Sequence, residues 1–453
     1  MEVLLRGVYS LVTLLCLPLL IGYFFFRSIK APHYRRRIAE RFAFVPVWQR
    51  NEDKKDAEQT NNNQSAYRPR IWLHTVSVGE FLGAKHLCRE LLSSGYELYL
   101  TSTTPTGSEQ IMRFANEHDP QRVAIRHSYM PYDLGLLIRR FLQRIKPDIT
   151  LFMETEIWPN TLAELAHQSV PSGLINARLS ERSAKSYARF GVLIRETIAR
   201  FDLIAVAEQP DLLRLQGLGA RPDTVHLTGN IKSTIRLTEL QKRQARQLRA
   251  KCGYFRPFCI IAASTHENEE DLVLNAARKT QLPHTLIILV PRHPERFESV
   301  YARCRQQGFS PLRYTDIERL EARHDVIVVN QLGVLAMLYG AADLAFIGGS
   351  LVPVGGHNSL EAAVWGLPLL TGPHYHNFAS VSEALIARNA IRVVQSEQEL
   401  VEQFRHFYHN VEDRFNAGAA ALKYMEEQPD ALNATQLLIE RTLNTAACPK
   451  RLR

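Results

Sequence analysis

The chain has 453 residues, of which 45% are hydrophobic and 22% charged, a balance that excludes a disordered or low-complexity chain and, at this length, leads to an expectation of two folded domains. A formal charge of +9 favours an anionic partner, whether nucleic acid, a phospholipid surface or a phosphorylated substrate, and composition alone does not choose among them. The six cysteines (Cys16, Cys88, Cys252, Cys259, Cys304, Cys448) are scattered without a C-x-x-C pair; this argues against a zinc site or a disulfide framework and fits a reducing cytoplasm.

The first element is an uncharged run, Gly7 to Phe26, of 20 residues, roughly 30 Å long as a helix and so about one bilayer core. It closes in Tyr23, Phe24, Phe25, Phe26 and Arg27 rather than in the small residues of a cleavage site, so it reads as a retained membrane anchor. Arg27, Lys30, Arg35, Arg36, Arg37 and Arg41 follow it, against only Glu2 and Arg6 before it. The positive-inside rule then leaves everything from residue 27 onward in the cytoplasm, with the basic run facing anionic headgroups. The alternative is a helix lying in the interface or docked on the protein, which Arg6 and Pro18 favour.

Residues 50–69 are polar and nearly free of aliphatic side chains, the composition of a linker or surface insertion. Folded structure restarts at Ile71. The runs "IWLHTV", "ELYLTST", "DITLFME", "PSGLINA", "DLIAVAE" and "TVHLTG" are buried-strand candidates, separated by amphipathic helical stretches. A charged helical stretch, Leu237 to Lys251, precedes a second series: "FCIIAAS", "TLIILVP", "DVIVVN", "DLAFIGG", "GLPLLTG" and "AIRVVQ". Strands alternating with helices imply two parallel sheets covered on both faces. Such sheets bind ligands beyond the carboxyl ends of their strands, and two facing one another would form an interdomain cleft.

The strand ends of the first unit supply hydroxyls and carboxylates: "SVGE" with Ser77, Gly79 and Glu80, "TSTTPTG" with Thr104, "METEIWPN" with Glu154 and Glu156, and "NARLSERS" with Arg178. Ser77 and Glu80 have capping-box spacing, so Glu80 is open to two readings, helix cap or reactive carboxylate. Glu154 reads as an acceptor-positioning group, and Glu156 as a cap for the helix that Pro159 opens. In the second unit "DLAFIGGSLVPVGGHNSLEAA" places Gly348, Gly349, Gly355, Gly356 and His357 ahead of a helix expected near Asn358. Close backbone approach and a helix start suit a phosphate, with Glu361 one turn on for ribose hydroxyls. Tight turns and simple capping by Asn358 explain the same residues. Ser264, Thr265 and His266 end one strand and Arg292 and His293 the next, adding groups suited to an anion. The run is neither G-x-G-x-x-G nor a P-loop, which disfavours NAD and ATP.

Taken in order, "KAPHYRRRIAERF", "HTVSVGE", "TPTGSE", "METEIWPN", "NARLSERSAKSYA", "TGNIK", "STHENEE", "PRHPERF" and "FIGGSLVPVGGHNSLEAA" resemble the 3-deoxy-D-manno-octulosonic acid (Kdo) transferases of lipopolysaccharide biosynthesis. The resemblance implies an α/β fold of GT-B type: two Rossmann-like domains with an interdomain cleft, plus an N-terminal membrane-anchor helix. Its expected division is an anchor over 1–27, an acceptor domain over 28–232 and a CMP-Kdo-binding domain over 233–453. It implies transfer of Kdo from CMP-Kdo to a lipid A precursor (lipid IVA) at the cytoplasmic side of the bacterial inner membrane, without metal, cofactor or nucleic acid. Glu80 takes the position of the proposed base. Ser264, Thr265, His266, Arg292, His293, Gly349, Gly355, Gly356, His357, Asn358 and Glu361 fall to the donor, and Ser77, Gly79, Thr104, Glu154 and Arg178 to the acceptor or to support. The chain departs from the family at Ser359, where Pro is frequent, at Val334, where a carboxylate is frequent, and in the length of residues 50–69. The rival readings are a nucleotide-sugar epimerase of the same architecture and an inactive membrane-bound scaffold.

Overall fold

The structure, a computed structural model, describes residues 2–30, 37–49 and 68–447. Arg35, Arg36, Cys448 and nearly all of the polar run 50–69 lie outside the described residues. The chain divides into two compact units, Met1–Thr234 with Pro429–Arg453, and Ile235–Gln428.

The first unit is built on β1 (Arg70–Thr75), β2 (Glu97–Ser102), β3 (Ile125–Tyr129), β4 (Ile149–Met153), β5 (Ser172–Ala177), β6 (Leu203–Val206) and β7 (Val225–Leu227), in the order β3-β2-β1-β4-β5-β6-β7. Every pairing is parallel. Alternate residues feed two cores, one on each face of the sheet: Trp72, Phe152, Leu174 and Ile204 on one side, Ile71, Leu73, Leu151, Ile175 and Leu203 on the other. This is why the strands read as nearly continuous apolar runs. The second unit repeats the plan with β8 (Phe258–Thr265), β9 (Thr285–Pro291), β10 (Pro311–Arg313), β11 (Val326–Val328), β12 (Leu344–Ile347), β13 (Leu369–Thr371) and β14 (Ile391–Val393), ordered β10-β11-β9-β8-β12-β13-β14 and again parallel. Both are doubly wound Rossmann-like sheets, as the GT-B resemblance implied. The strand order reverses between β1 and β4 in one and between β8 and β12 in the other, and ligands of such sheets bind at those reversals.

Four sequence expectations need correction. The C-terminal helix Ala431–Ala447, expected in the 233–453 domain, belongs to the first unit, because Ala431, Leu432 and Ile439 bury their side chains in the core containing Ile71 and Leu203. The helix expected at Asn358 is a single turn, Leu360–Ala363. Strands β3 and β10 were not anticipated; both are edge strands, and β3 leaves Arg126 exposed, so neither carries an unbroken apolar run. Arg41, expected to face headgroups, is buried: its guanidinium lies 4.4 Å from the Tyr129 ring centre and donates to Thr103 O at 2.7 Å. Arg37 is likewise engaged, with Glu40 at 2.6 Å.

Candidate active site

In the first unit the reversal between β1 and β4 gathers a carboxylate cluster. β1 ends at Thr75, and the chain turns through Val76 and Ser77 into the helix Val78–Ser93, whose N-cap is Ser77. Glu80 Oε2 accepts from Val76 N–H at 2.7 Å and Oε1 from the Ser77 hydroxyl at 3.1 Å, while Ser77 Oγ accepts the Glu80 N–H at 3.4 Å. Capping is therefore real, with Val76 N–H taking the place of the usual Ser77 N–H. It uses two of the roughly four acceptor positions of the carboxylate and leaves the others for a ligand. Burial raises the Glu80 pKa above the usual carboxylate value; the Glu154 charge adds to the rise, and Lys232 opposes it. Gly79 is exposed, and a Cβ there would meet only Ser77 Oγ at 4.0 Å, so the fold does not require this glycine.

Glu154, at the end of β4, has φ +64 and is ion-paired to Lys232. Glu156 accepts from the Trp158 indole N–H at 2.9 Å rather than capping the helix Pro159–His167, which overturns the capping expectation. Burial, reinforced by the Glu80 and Glu154 charges, pushes its pKa up to about 7. His74 Nε2 lies 3.9 Å from Glu156 Oε2, but burial holds its pKa down to about 3, so the imidazole is neutral. Three carboxylates thus face one paired cation, which favours keeping a proton in the cluster near neutral pH. Arg178 turns a buried, unpartnered Nε among the described residues, and its carbonyl accepts from Thr155 Oγ1 at 2.8 Å. Thr104 is the N-cap of the helix Pro105–His118, accepting from Gly107 N–H at 3.2 Å, so its hydroxyl is already committed. Lys232, inside the quoted "TGNIK" run, was given no role from sequence; its pairing with Glu154 spans 78 residues and left no local signal.

In the second unit the ends of β8 and β12 carry the corresponding groups. Ser264 is buried with φ +54, and Thr265 Oγ1 donates to Glu270 at 2.7 Å. His266 and His357 stack with ring centres 5.1 Å apart, and their Nε2 atoms are separated by 2.9 Å. His293 stands edge-on to His266 at 5.4 Å. Burial and the positive charge of Arg292 bring the His357 pKa down to about 4, and burial lowers His266 as well. With both rings neutral, one donates its Nε2–H to the Nε2 of the other, so that proton is held within the pair and the accepting ring carries its own on Nδ1. Arg292 is exposed, and its charge opposes the burial that raises the Glu361 pKa. Asn358 Oδ1 accepts Leu360 N–H at 3.1 Å, but the N-cap of the short helix is Ser359, which makes no side-chain cap, so Asn358 is not the N-cap expected of it.

The glycine-rich loop departs from expectation in one respect. The fully buried carboxylate of Glu269 accepts the N–H groups of Gly349, Ser350 and Leu351 at 2.7, 3.0 and 3.0 Å, and that of His266 at 2.9 Å. These amides are therefore taken and do not cradle a phosphate. Gly349, at φ +68, is required instead because a Cβ would come within 3.0 Å of the His357 ring and 3.4 Å of His266. Gly355 and Gly356 pack against the segment His374–Asn377. Glu269 sat in the quoted "STHENEE" run, yet its four partners come from two loops 80 residues apart. Among the described residues no cluster of three or more His, Cys, Asp or Glu is arranged to hold a metal ion.

The family model described as 3-Deoxy-D-manno-octulosonic-acid transferase (kdotransferase) matches residues 36–235. The 3-deoxy-D-manno-octulosonic acid transferase of Haemophilus influenzae is 33% identical over 433 residues, covering 94% of this chain and 96% of that one. That of Bordetella pertussis is 36% identical over 326 residues, covering 71% and 75%. Among solved structures, the UDP-GlcNAc 2-epimerase of Neisseria meningitidis superposes with a TM-score of 0.53 at 16% identity, covering 83% of this chain and all of the other. That likeness is one of fold alone, so architecture does not separate transferase from epimerase, and the separation rests on sequence. On that evidence the chain belongs to the 3-deoxy-D-manno-octulosonic acid transferase family of glycosyltransferases.

Proposed function

We propose that the chain transfers Kdo from CMP-Kdo to a hydroxyl of a lipid A precursor, with Glu80 as the general base. The observation that carries this reading is the Glu80 carboxylate itself: fixed by Val76 N–H and Ser77, raised in pKa by burial and by Glu154, and still holding free acceptor positions. A sugar hydroxyl is a weak nucleophile, and a carboxylate of raised pKa within hydrogen-bond reach takes its proton as the new bond forms. The acceptor oxygen bonds to the anomeric carbon of Kdo, the bond from that carbon to the phosphate oxygen breaks, and CMP leaves with the electron pair. The exposed Arg292 meets the charge that develops on the phosphate. Glu361 and Asn358 hold the donor beside it, and Lys232 is ion-paired to Glu154 next to the base. No step in this scheme calls on a metal ion.

The test is CMP release from CMP-Kdo by the full chain, with and without a lipid A precursor, together with the mass of the lipid product. The reading requires release that depends on the lipid and a product heavier by whole Kdo residues. Release at the same rate without lipid, or a nucleotide sugar isomerised rather than transferred, would refute it.

A further inference from the structure

By length and composition the helix Glu2–Lys30 is able to cross a bilayer: its 29 residues span about 43 Å, and Glu2–Leu19 has a mean hydropathy of 1.6. Its side chains sort into two opposite stripes. Glu2, Arg6, Tyr9, Ser10, Thr13 and Leu17 fall on one side of the helix, and Leu4, Val8, Leu11, Leu15 and Leu19 on the other. The first stripe is docked on the first unit. Glu2 Oε1 accepts from Arg200 Nη2 at 2.6 Å, Tyr9 hydrogen-bonds the buried carboxylate of Asp133, and Ser10 exchanges hydrogen bonds with the Asn160 side chain at 2.9 and 3.2 Å. Arg6 lines a cavity of about 410 Å³ with Arg139, Glu164, His167 and Arg200. The second stripe is bare: Leu4, Leu15 and Leu19 are 73, 67 and 75% exposed.

Both ends of the helix are tied to the same unit. Glu2 is held at Arg200, just ahead of β6. At the other end six residues separate Lys30 from Arg37, a reach of about 25 Å at most. Arg37 is itself fixed by Ser108 Oγ at 3.1 Å and His127 O at 3.0 Å. A helix that crossed the membrane would carry Glu2 and Arg6 about 30 Å away, beyond the hydrocarbon. Arg200, Asp133 and the polar cavity belong to a folded unit and cannot follow them, because each charge drawn into lipid is strongly disfavoured.

We propose that this helix does not cross the membrane but lies in its plane on one leaflet, docked on the first unit by its polar stripe and inserting its aliphatic stripe into an anionic phospholipid surface. An amphipathic helix with one docked and one bare face is the form such interfacial elements take. The occupant is lipid rather than a second copy of the chain because the bare stripe offers aliphatic side chains without polar groups to fix a partner's register, and the chain's charge of +9 complements an anionic leaflet.

The test uses the full chain with a protease-cleavable tag ahead of Met1, in sealed inner-membrane vesicles of both orientations. Protease should remove the tag from inside-out vesicles and spare it in right-side-out ones; the reverse pattern means a crossing helix and overturns the proposal. Independently, Glu2→Cys with Arg200→Cys should form a disulfide in intact membranes, and a folded, membrane-bound chain that fails to form it refutes docking. For the occupant, Leu11→Glu with Leu15→Glu should lower flotation of the purified chain with phosphatidylglycerol vesicles at least tenfold while the thermal midpoint is kept. Flotation equal to the parent's, or a dimer that the double variant converts to monomer without a change in flotation, assigns the stripe to something other than lipid.

Discussion

At Glu80 one side chain serves two purposes, and they separate by substitution. Gln at this position keeps an oxygen to accept Val76 N–H, so the helix start survives, but it has no basicity with which to take a proton. Glu80→Gln is therefore expected to lower kcat by about two to four orders of magnitude and to leave the thermal midpoint nearly unchanged, as steady-state CMP release and calorimetry would show. Near-normal turnover in a folded variant would remove Glu80 from the mechanism. Ser359 offers a test of the opposite kind. Its hydroxyl is buried without a partner, its φ is −78°, and its N–H has no partner among the described residues. A pyrrolidine ring fits that φ and costs no hydrogen bond, and removing an orphan hydroxyl relieves a desolvation cost of about 1–3 kcal/mol. Ser359→Pro should raise the melting temperature by several degrees, and Ser359→Ala should recover part of the gain. A lower melting temperature for both would mean that the hydroxyl has a partner in solution. The sequence marked Ser359 only as a departure from family habit; that its buried hydroxyl has no hydrogen-bond partner is visible only in the fold. Glu80 was legible because cap spacing and strand end lie within ten residues, whereas Glu269 and Lys232 act through partners about 80 residues away.

Among the elements, those buried on both faces were legible and those at edges or termini were not. A central strand such as β4, "ITLFM", is buried throughout and announces itself as an apolar run. Strand β3 reads "IRHSY", because an edge strand leaves Arg126 exposed and lets His127 bond Ser108 at 2.7 Å. The terminal helix misled for a different reason: its amphipathic pattern says that it packs, not on what. It crosses back to the first unit, where Leu432 and Ile439 are almost fully buried. Burying two such side chains stabilises by about 3–6 kcal/mol. Ending the chain at Gln428 should therefore destabilise the first unit and spare the second. Limited proteolysis would show it as new cleavage in the region of β6 and β7, with Ile235–Gln428 still resistant. Cleavage confined to Ile235–Gln428 would instead return the helix to the second unit.

At the scale of the whole molecule the two units have separate cores, so a single unfolding transition is not expected. The pH dependence of the first unit follows from its buried and half-buried titratable groups. His74 is buried and His127 half-buried, and both are held neutral, each with a pKa of about 3 against 6.5 in the unfolded chain. A depressed histidine contributes stability that is present above pH 6.5 and is lost as pH falls toward 3. Glu156 runs the other way: its folded pKa of about 7 exceeds the ordinary 4.5, so its contribution is complete below pH 4.5 and is lost as pH rises through 7. Between pH 4.5 and 6.5 the unfolded state therefore gains two protons at the histidines and lacks one at Glu156. The net of one proton makes stability rise with pH by about 1.4 kcal/mol per unit from these three groups. Glu156→Gln removes the opposing proton, so the slope should become about twice as steep over the same window while the loss above pH 6.5 disappears. Urea unfolding of the first unit, followed by an intrinsic fluorescence signal across pH 4.5 to 7.5, reads both changes. An unaltered slope in Glu156→Gln would mean that Glu156 titrates as an ordinary carboxylate and that the cluster around Glu80 keeps no proton near neutral pH.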